Sequence, residues 1–128
     1  MKYFDCRTYC LSLPEATEDF PFGPEVAVFR VQQKMFALYS VEKSGFGSVN
    51  LKCDPVQAQV LRDIFPAVTA GYHMNKKHWN TVVLDGSIPR GELERMVDHS
   101  YALVVKKLPR VDRQFLELRY PAETLYRA

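Results

Sequence analysis

The N-terminal stretch of the chain carries apolar residues at helical spacing. Phe4, Thr8 and Leu11 recur at steps of three and four residues, which places them on one side of a helix. Pro14 bars continuation, because proline lacks the backbone donor that a further helical turn needs. The pattern predicts a first helix of about two to three turns. Three more side chains should lie beside its stripe: Cys6, Cys10 and Leu13.

A second helix has clear start and stop signals. The Asp54 carboxylate can accept from the first free N–H groups of a helix, and Pro55 suits the first helical position. Pro66 ends the pattern. The apolar stripe between these signals is predicted to face the core, and it consists of Val56, Val60, Leu61 and Ile64.

The longest helical pattern covers residues 89–108. Its apolar positions recur at three- and four-residue steps: Leu93, Met96, Val97, Tyr101, Val104, Val105 and Leu108. Weaker helical signs continue around Phe115 and Leu118 in the C-terminal tail.

Four segments have the composition of strands. Residues 26–31 and 34–40 are separated only by Gln32 and Gln33, and this spacing predicts a hairpin. A two-residue turn favours glycine or asparagine, so the register of the hairpin stays open. Residues 48–52 and 79–84 add further strands, and Asp85-Gly86 forms a turn after the last of them.

We expect the order α-β-β-β-α-β-β-α, in which the four segments above account for four of the five strands. Strands joined by short turns, with helices at intervals, favour an antiparallel sheet covered by helices on one face. The acidic, proline-containing segment 15–25 between the first helix and the first strand is predicted to be a rigid loop. We expect one α+β two-layer domain over residues 1–128, with a core of about 1–113 and a tail of about 114–128.

Composition narrows the class of protein. The 128 residues are 47% hydrophobic and 25% charged, which is typical of a soluble globular domain. Apolar runs are too short for a membrane span, and Lys2, Asp5 and Arg7 interrupt the N-terminus where a signal peptide needs an apolar segment. A cytoplasmic monomer without membrane association is expected. The three cysteines favour buried thiols over disulfides.

Catalytic and metal-binding motifs are weak in this sequence. No Gly-x-Ser-x-Gly motif is present, which argues against a serine nucleophile on an elbow turn. His73 and His78 are five residues apart, not the one-turn spacing that aligns two imidazoles for a metal. Neither a metal, a cofactor nor an enzymatic activity is therefore predicted.

Charge is distributed unevenly along the chain. The formal net charge is +2, but residues 1–25 carry −3 and the remainder carries +5. In the basic remainder the stretch GYHMNKKHWNTV, residues 71–82, combines Lys76 and Lys77 with aromatic rings. Lysines can neutralise phosphates and aromatic rings can stack on bases, which favours a nucleic-acid surface. The ordinary alternative is a turn held by Tyr72 and Trp79, with lysines that only keep it soluble.

Four strings of the sequence carry a resemblance to a known family: PFGPEVAVFRVQQKMFAL, VNLKCDP, GYHMNKKHWNTVVLDG and DHSYALVVKKLP. Together they resemble the MmcQ/YjbR family over nearly the whole chain. The resemblance implies an α-β(3)-α-β(2)-α domain of the secretion-chaperone-like or frataxin-like (YjbR-like) kind. It also implies a small bacterial protein that binds DNA through a proposed double-wing arrangement, without an established reaction.

Transferred to this chain, the resemblance points to the basic turn and its flanks, His73 included. The predicted DNA contacts are Asn75, Lys76, Lys77, His78, Trp79, Lys106, Lys107 and Arg110. Two departures from the family pattern bear on this expectation. Gln32-Gln33 replaces the glycines common in the first hairpin, and Arg90-Gly91 replaces acidic residues at the start of the last helix.

Two other functions compete with DNA binding. Phe20, Phe22 and Phe46, in predicted loops, could anchor a protein or peptide partner if they form one exposed apolar patch. A small-molecule or enzymatic site could instead use His73, His78 and Asp85 if they line one pocket.

Overall fold

The computed structural model describes residues 4–71 and 74–127. Six antiparallel strands form one sheet in the order β1-β2-β3-β4-β6-β5. The strands are β1 (Thr17–Asp19), β2 (Ala27–Val31), β3 (Lys34–Val41), β4 (Gly47–Lys52), β5 (Val68–Ala70) and β6 (Trp79–Leu84). The helices are α1 (Cys6–Leu11), α2 (Pro55–Ile64), α3 (Arg90–Lys106), α4 (Arg110–Arg119) and α5 (Ala122–Leu125).

The predicted α+β class with an antiparallel sheet is confirmed. The three strands before α2 and the two after it follow the expected order. β1 is an addition, because the segment predicted as a loop places Thr17–Asp19 on the edge of the sheet beside β2. In the C-terminal part, Leu116 of α4 and Leu125 of α5 are fully buried in the main core.

The two faces of the sheet differ in polarity. Cross-strand partners share a face, and one face carries Phe29, Ala37, Leu51 and Val82, which pack in the core with α3. The other face carries polar pairs, among them Asn50 opposite Thr81. The helices therefore cover a single face, as the sequence predicted. No helix within the described ranges is both long enough and apolar enough to cross a bilayer.

A β-bulge adjusts the centre of the core. Phe29 pairs with Ala37 while Arg30 pairs with Met35, so Phe36 is the extra residue on β3. Its ring is fully buried and meets Tyr101 of α3 edge-on at 5.3 Å between centroids. The Phe36 carbonyl accepts from the Ser100 hydroxyl at 2.6 Å, and the same hydroxyl accepts from the Lys52 backbone N–H at 2.9 Å. Ser100 thus joins β3 and β4 from the middle of α3.

The hairpin between β2 and β3 is confirmed in spite of its unusual turn residues. Gln32 and Gln33 adopt φ values of 47° and 71°, the left-handed pair that a two-residue turn of type I′ requires. The Gln33 carbonyl accepts from Arg30 Nη1 at 3.1 Å, which holds this turn. The register left open by the sequence is set by the bulge at Phe36.

The predicted core stripe of α2 is wrong for three of its four residues. Val56, Val60 and Ile64 are 74%, 42% and 60% exposed, whereas the fourth, Leu61, is half-buried against the core. Ala58, which was not predicted to face the core, is buried. The small side chain of Ala58 lets the helix approach the sheet closely. The Ala58 carbonyl accepts from the Asn80 side-chain amide at 3.4 Å. The helix is rotated relative to the prediction, because its contacts with β5 and β6 select a face that its apolar period does not mark.

The predicted stripe of α1 is also partly wrong. Leu11 is exposed, and the buried side consists of Cys6, Cys10 and the nearby Leu13. The helix has six residues, fewer than predicted, and the Asp5 carboxylate caps it by accepting from the Thr8 N–H at 3.1 Å. All three cysteines are buried and free, as expected from the sequence.

Candidate nucleic-acid interface

Residues 75–79, which lead into β6, form a tight turn whose framework is Asn75. Its carbonyl accepts from the N–H groups of His78 at 3.1 Å and Trp79 at 3.0 Å. Its side-chain oxygen accepts from the Lys77 N–H at 3.0 Å. Asn75 is therefore engaged in the turn itself, as is common for asparagine in turns. Tyr72 and His73 lie outside the described residues, so the prediction for His73 has no structural counterpart.

Arg62 of α2 fixes this turn from below. Its Nε donates to the Asn80 side-chain oxygen at 2.7 Å, and its Nη2 donates to the carbonyls of Lys76 and Trp79, the latter at 3.3 Å. A guanidinium presents several donors in a rigid plane, so one side chain can hold three acceptors at once. The Lys76 and Lys77 side chains are exposed above this anchor.

Backbone contacts close the base of the turn. The Cys53 N–H donates to the His78 carbonyl at 2.7 Å, and the Gly71 N–H donates to the Trp79 carbonyl at 2.9 Å. A Cβ at Gly71 would lie 2.8 Å from the Trp79 Cβ, so only glycine fits there. Trp79 is 9% exposed. The fold therefore leaves little of the indole accessible for stacking on a base, and the predicted DNA contact of Trp79 stays a prediction.

The strand register brings further lysines to the same end of the sheet. Lys34 begins β3, Lys52 ends β4 opposite Trp79, and the turn with Lys76 and Lys77 precedes Trp79. Lys107, which follows α3, is close enough for its charge to lower the pKa of Lys52, although burial is the larger cause. We call this group of five side chains the basic end: Lys34, Lys52, Lys76, Lys77 and Lys107.

The opposite end of the sheet has a different charge. Asp19, Glu42 and Asp85 lie at or just beyond the strand ends there, together with Glu25 and Lys43. At the basic end, the Asp54 carboxylate is occupied by the N–H groups of Val56 and Gln57, each at 3.1 Å. The two ends of the sheet therefore differ in charge, with lysines at the basic end and mainly carboxylates at the other.

Lys106 and Arg110, the two other basic residues predicted to contact DNA, are close in the chain to Lys107 of the basic end. Lys106 is the last residue of α3, and its Nζ lies 5.8 Å from the centroid of the Tyr126 ring. Arg110 is exposed and begins α4. Lys107, between them in the chain, is the one whose charge acts on Lys52.

Sequence reasoning missed three residues of this region: Lys34, Lys52 and Arg62. The first two are separated in the chain from the lysine pair and become its neighbours only through strand pairing. The sequence did contain a signal for Arg62, because it is the only cation in the predicted helix α2 and such a side chain needs hydrogen-bond acceptors. Its acceptors could not be identified from the sequence, since they lie 14 to 18 residues away.

The structure separates His78 from Asp85, two of the three residues of the small-molecule alternative, and the third, His73, lies outside the described residues. His78 precedes β6 and Asp85 follows it, so the length of the strand separates them. Hydrogen bonds from the Ser87 hydroxyl and backbone N–H lower the pKa of Asp85, which is engaged in its own turn. Within residues 4–71 and 74–127, no cluster of three acidic, histidine or cysteine side chains could hold a metal ion.

His99 lies beside the basic end and is half-buried on α3. Its Nε2 accepts from the Asp54 N–H at 3.3 Å, so the neutral ring carries its proton on Nδ1. Burial lowers the pKa of His99, Asp54 opposes this effect and Lys106 adds to it. The protein therefore holds His99 in its neutral form.

This environment predicts a pH dependence of stability. Folding lowers the pKa of His99. The contribution of neutral His99 to the free energy of unfolding is therefore complete above the ordinary pKa of 6.5 and is lost as the pH falls below that value. We expect chemical unfolding to require less urea at about pH 5 than at about pH 7. A His99→Gln variant should show a smaller difference between the two conditions. An equal difference in both proteins would assign the effect to other groups.

Comparisons with known proteins agree with the fold. A family model described as YjbR matches residues 11–103. The uncharacterized protein YbdF of Escherichia coli O157:H7 is 39% identical over 108 residues, 84% of this chain and 88% of that protein. The uncharacterized protein YjbR of Escherichia coli K12 is 34% identical over the same share of this chain and 91% of its own length.

Solved structures give the same result. The crystal structure of Deinococcus radiodurans protein DR2400 superposes with a TM-score of 0.80 at 39% identity, over 88% of this chain and 86% of that chain. A crystal structure of a protein from Pseudomonas syringae gives a TM-score of 0.67 at 28% identity, over 75% of this chain and 92% of that chain.

Proposed function

The chain belongs to the YjbR family, and from the charges at one end of its sheet we propose that it binds DNA without acting as an enzyme. The observation that carries the proposal is the basic end. Five lysines from two strands, a turn and a helix terminus meet there, although they are scattered over more than 70 positions of the chain. Phosphate groups are the partner that such a cluster suits best.

The lysines of the basic end are available to a ligand. None of them forms an ion pair with another residue of the described ranges, in contrast to Arg7, Arg30, Arg90 and Arg95, which do. Four are exposed and Lys52 is half-buried. An unpaired cation has no competing partner to leave before it meets a phosphate, so its attraction to DNA is undiminished.

The spacing of the basic end matches a nucleic-acid backbone. Neighbouring strands lie about 4.8 Å apart, so β3, β4 and β6 span roughly 10 Å. Phosphates recur along each DNA strand about every 3.4 Å of helix axis, and flexible lysine side chains can reach several of them from that width. His78 lies at the edge of this surface, half-buried. Lys106 and Arg110 extend it in the direction of α4.

Salt dependence tests this proposal. If all five lysines neutralise phosphates, the logarithm of the affinity should fall against the logarithm of salt with a slope of about −4 to −5. This corresponds to a loss of about 500-fold between roughly 50 and 200 mM salt. In a Lys76→Glu/Lys77→Glu variant the slope should become shallower by about 2, and the affinity at low salt should fall more than about tenfold. Fluorescence anisotropy of a labelled duplex measures both quantities.

A matched control separates local from general charge effects. Lys43→Glu/Arg90→Glu changes the net charge by the same amount, but Lys43 lies in the hairpin at the opposite end of the sheet and Arg90 begins α3. This control should keep the slope of the wild-type protein. Absence of salt-sensitive binding in the wild type, or equal losses in both double variants, would contradict the proposal.

Protein binding is a second candidate, because the aromatic side chains singled out by the sequence are exposed. Phe20, Phe22 and Phe46 are all solvent-accessible, and Val41 of β3 is exposed as well. Phe20 and Val41 line one shallow groove. The loops that carry these phenylalanines lie at the end of the sheet away from the basic end, so a Phe22→Ser variant should leave DNA binding unchanged.

A further inference from the structure

A cleft opens between α2 and α3, above β4 and β6. Its volume is about 270 Å³. The floor is apolar and consists of Leu51, Leu61, Val82 and Met96, while Gln57 and His99 stand at its sides. Drug-sized ligands occupy pockets of roughly 300–1,000 Å³, so this cleft suits a single one- or two-ring compound.

The polar groups of the cleft favour a ligand with its own hydrogen-bonding edge. Glu92 is paired with Arg95, and the Asp54 carboxylate caps α2, so neither carboxylate is free. The Nδ1–H of neutral His99 and the side-chain amide of Gln57 form no hydrogen bond with any residue that the structure describes. The two groups together offer donors and an acceptor, which is the complement of a heterocyclic edge.

The cleft adjoins the basic end directly. Lys52 lines it, and Lys107 is near enough to act on the charge of Lys52. The Cys53 N–H, in the same wall, donates to the His78 carbonyl at the base of the turn. Asn80, which also lines the cleft, accepts from Arg62, the anchor of Lys76. A ring in this cleft would therefore have a phosphate-binding surface beside it.

The thiol in the wall does not suggest covalent chemistry. Burial raises the pKa of Cys53 to about 11, so the group stays protonated at neutral pH. A protonated thiol is a poor nucleophile. The cleft is thus suited to binding.

We propose that this cleft binds one nucleotide, with its base between α2 and α3 against Met96 and Leu61 and its phosphate at Lys52 and Lys107. The nucleotide is either an unpaired base of a DNA strand or a free mononucleotide. In the first case the inference rests on the proposed DNA binding, and the protein distinguishes DNA with an extrahelical base from perfect duplex. Extrusion of a base costs least where it is already unpaired.

Two arms distinguish the sources. In the first, deoxynucleoside monophosphates are added while the backbone amide resonances of Cys53, Gln57 and His99 are followed by NMR. Saturable shifts at these positions are expected, and a nucleoside without phosphate should bind about tenfold more weakly because it lacks charge-assisted contacts. In the second, anisotropy compares a perfect duplex with the same duplex carrying one bulged 2-aminopurine.

Gln57→Trp blocks the mouth of the cleft without changing its buried floor. Gln59→Trp is the matched control, since Gln59 lies on the exposed side of the same helix and is not part of the cleft wall. Gln57→Trp should abolish the nucleotide shifts and any preference for the bulged duplex, and should leave perfect-duplex affinity unchanged. Gln59→Trp should behave as the wild type in all three measurements.

Each result has a defined meaning. Shifts together with a preference for the bulged duplex assign the cleft to an unpaired base of DNA, and shifts without that preference assign it to free nucleotides. Absence of both, or an equal effect of Gln57→Trp and Gln59→Trp, overturns the inference. Failure of DNA binding itself would show as no salt-sensitive affinity for the perfect duplex, which the mononucleotide arm does not depend on.

Discussion

Replacing Phe36 with alanine is expected to lower the free energy of unfolding by about 3–5 kcal/mol. Phe36 is fully buried, and its ring lies between Phe29 and Tyr101, at 6.5 Å and 5.3 Å between centroids. Removal of the ring loses its transfer free energy and leaves a cavity at the contact between β3 and α3. Since domains are stable by about 5–15 kcal/mol, this change should remove a large part of the total.

Urea unfolding followed by circular dichroism measures the loss. Phe22→Ala is the matched control, because Phe22 is 64% exposed and its truncation opens no cavity. The control should lie within about 0.5 kcal/mol of the wild type. Similar midpoints for the two variants would mean that the bulge does not place Phe36 at the centre of the core.

Replacing Arg62 with methionine is expected to cost about 2–4 kcal/mol of stability and to weaken DNA binding without changing any lysine. Methionine keeps the length of the side chain but leaves the Asn80 oxygen and the Lys76 carbonyl without their donor. The Trp79 carbonyl loses the Arg62 bond and keeps the one from the Gly71 N–H. Acceptors stripped of a charged partner in a partly buried site lose about 1–3 kcal/mol each, and such losses are not fully additive.

DNA binding should weaken in the Arg62→Met variant because the turn that carries Lys76 and Lys77 loses the side chain that orders it. Lys76 and Lys77 keep their charge in the Arg62→Met variant, so the salt slope should stay close to the wild-type value while the affinity falls. Arg90→Met is the matched control. Arg90 forms only an exposed pair with Glu94 at 3.1 Å, and such pairs contribute about 1 kcal/mol or less. A similar loss of stability in both variants would refute the role of Arg62 as an anchor.

The hydrophobic period predicted most of the elements, because it is local information. The long pattern of residues 89–108 became α3 (Arg90–Lys106), and the Asp54-Pro55 start signal became the observed cap of α2. Both hairpin strands formed across Gln32 and Gln33, although the turn residues are unfavourable for positive φ. The pairing and burial of the strands outweighed the local preference there.

The same period failed where an element has more than one apolar side. In α2 only Leu61 of the four predicted stripe residues packs against the core. The helix instead buries Ala58 and uses Arg62 as its link to the turn. Packing against β5 and β6 decided which side faces inward, and no property of the helix alone contains that choice. The exposed stripe is a consequence of this rotation.

The candidate site was visible in the sequence through Lys76, Lys77 and their neighbours, and through Lys107 near the C-terminus. The adjacency of the lysine pair in the chain made it conspicuous, whereas Lys34 and Lys52 are ordinary strand residues until the register places them at the same sheet end. Trp79 shows the reverse case, since the sequence suggested a stacking surface and the fold buried the ring. Charge and aromatic character are properties of a residue, but exposure is a property of its surroundings.

The sequence by itself determined the class of fold, the order of its main elements and the identity of the conspicuous lysine pair, because short-range spacing governs helices, strands and turns. Only the tertiary structure decided the neighbours of that pair: the basic end, the Arg62 anchor and the cleft between α2 and α3. These features depend on strand register and helix rotation, which are set by contacts between residues far apart in the chain.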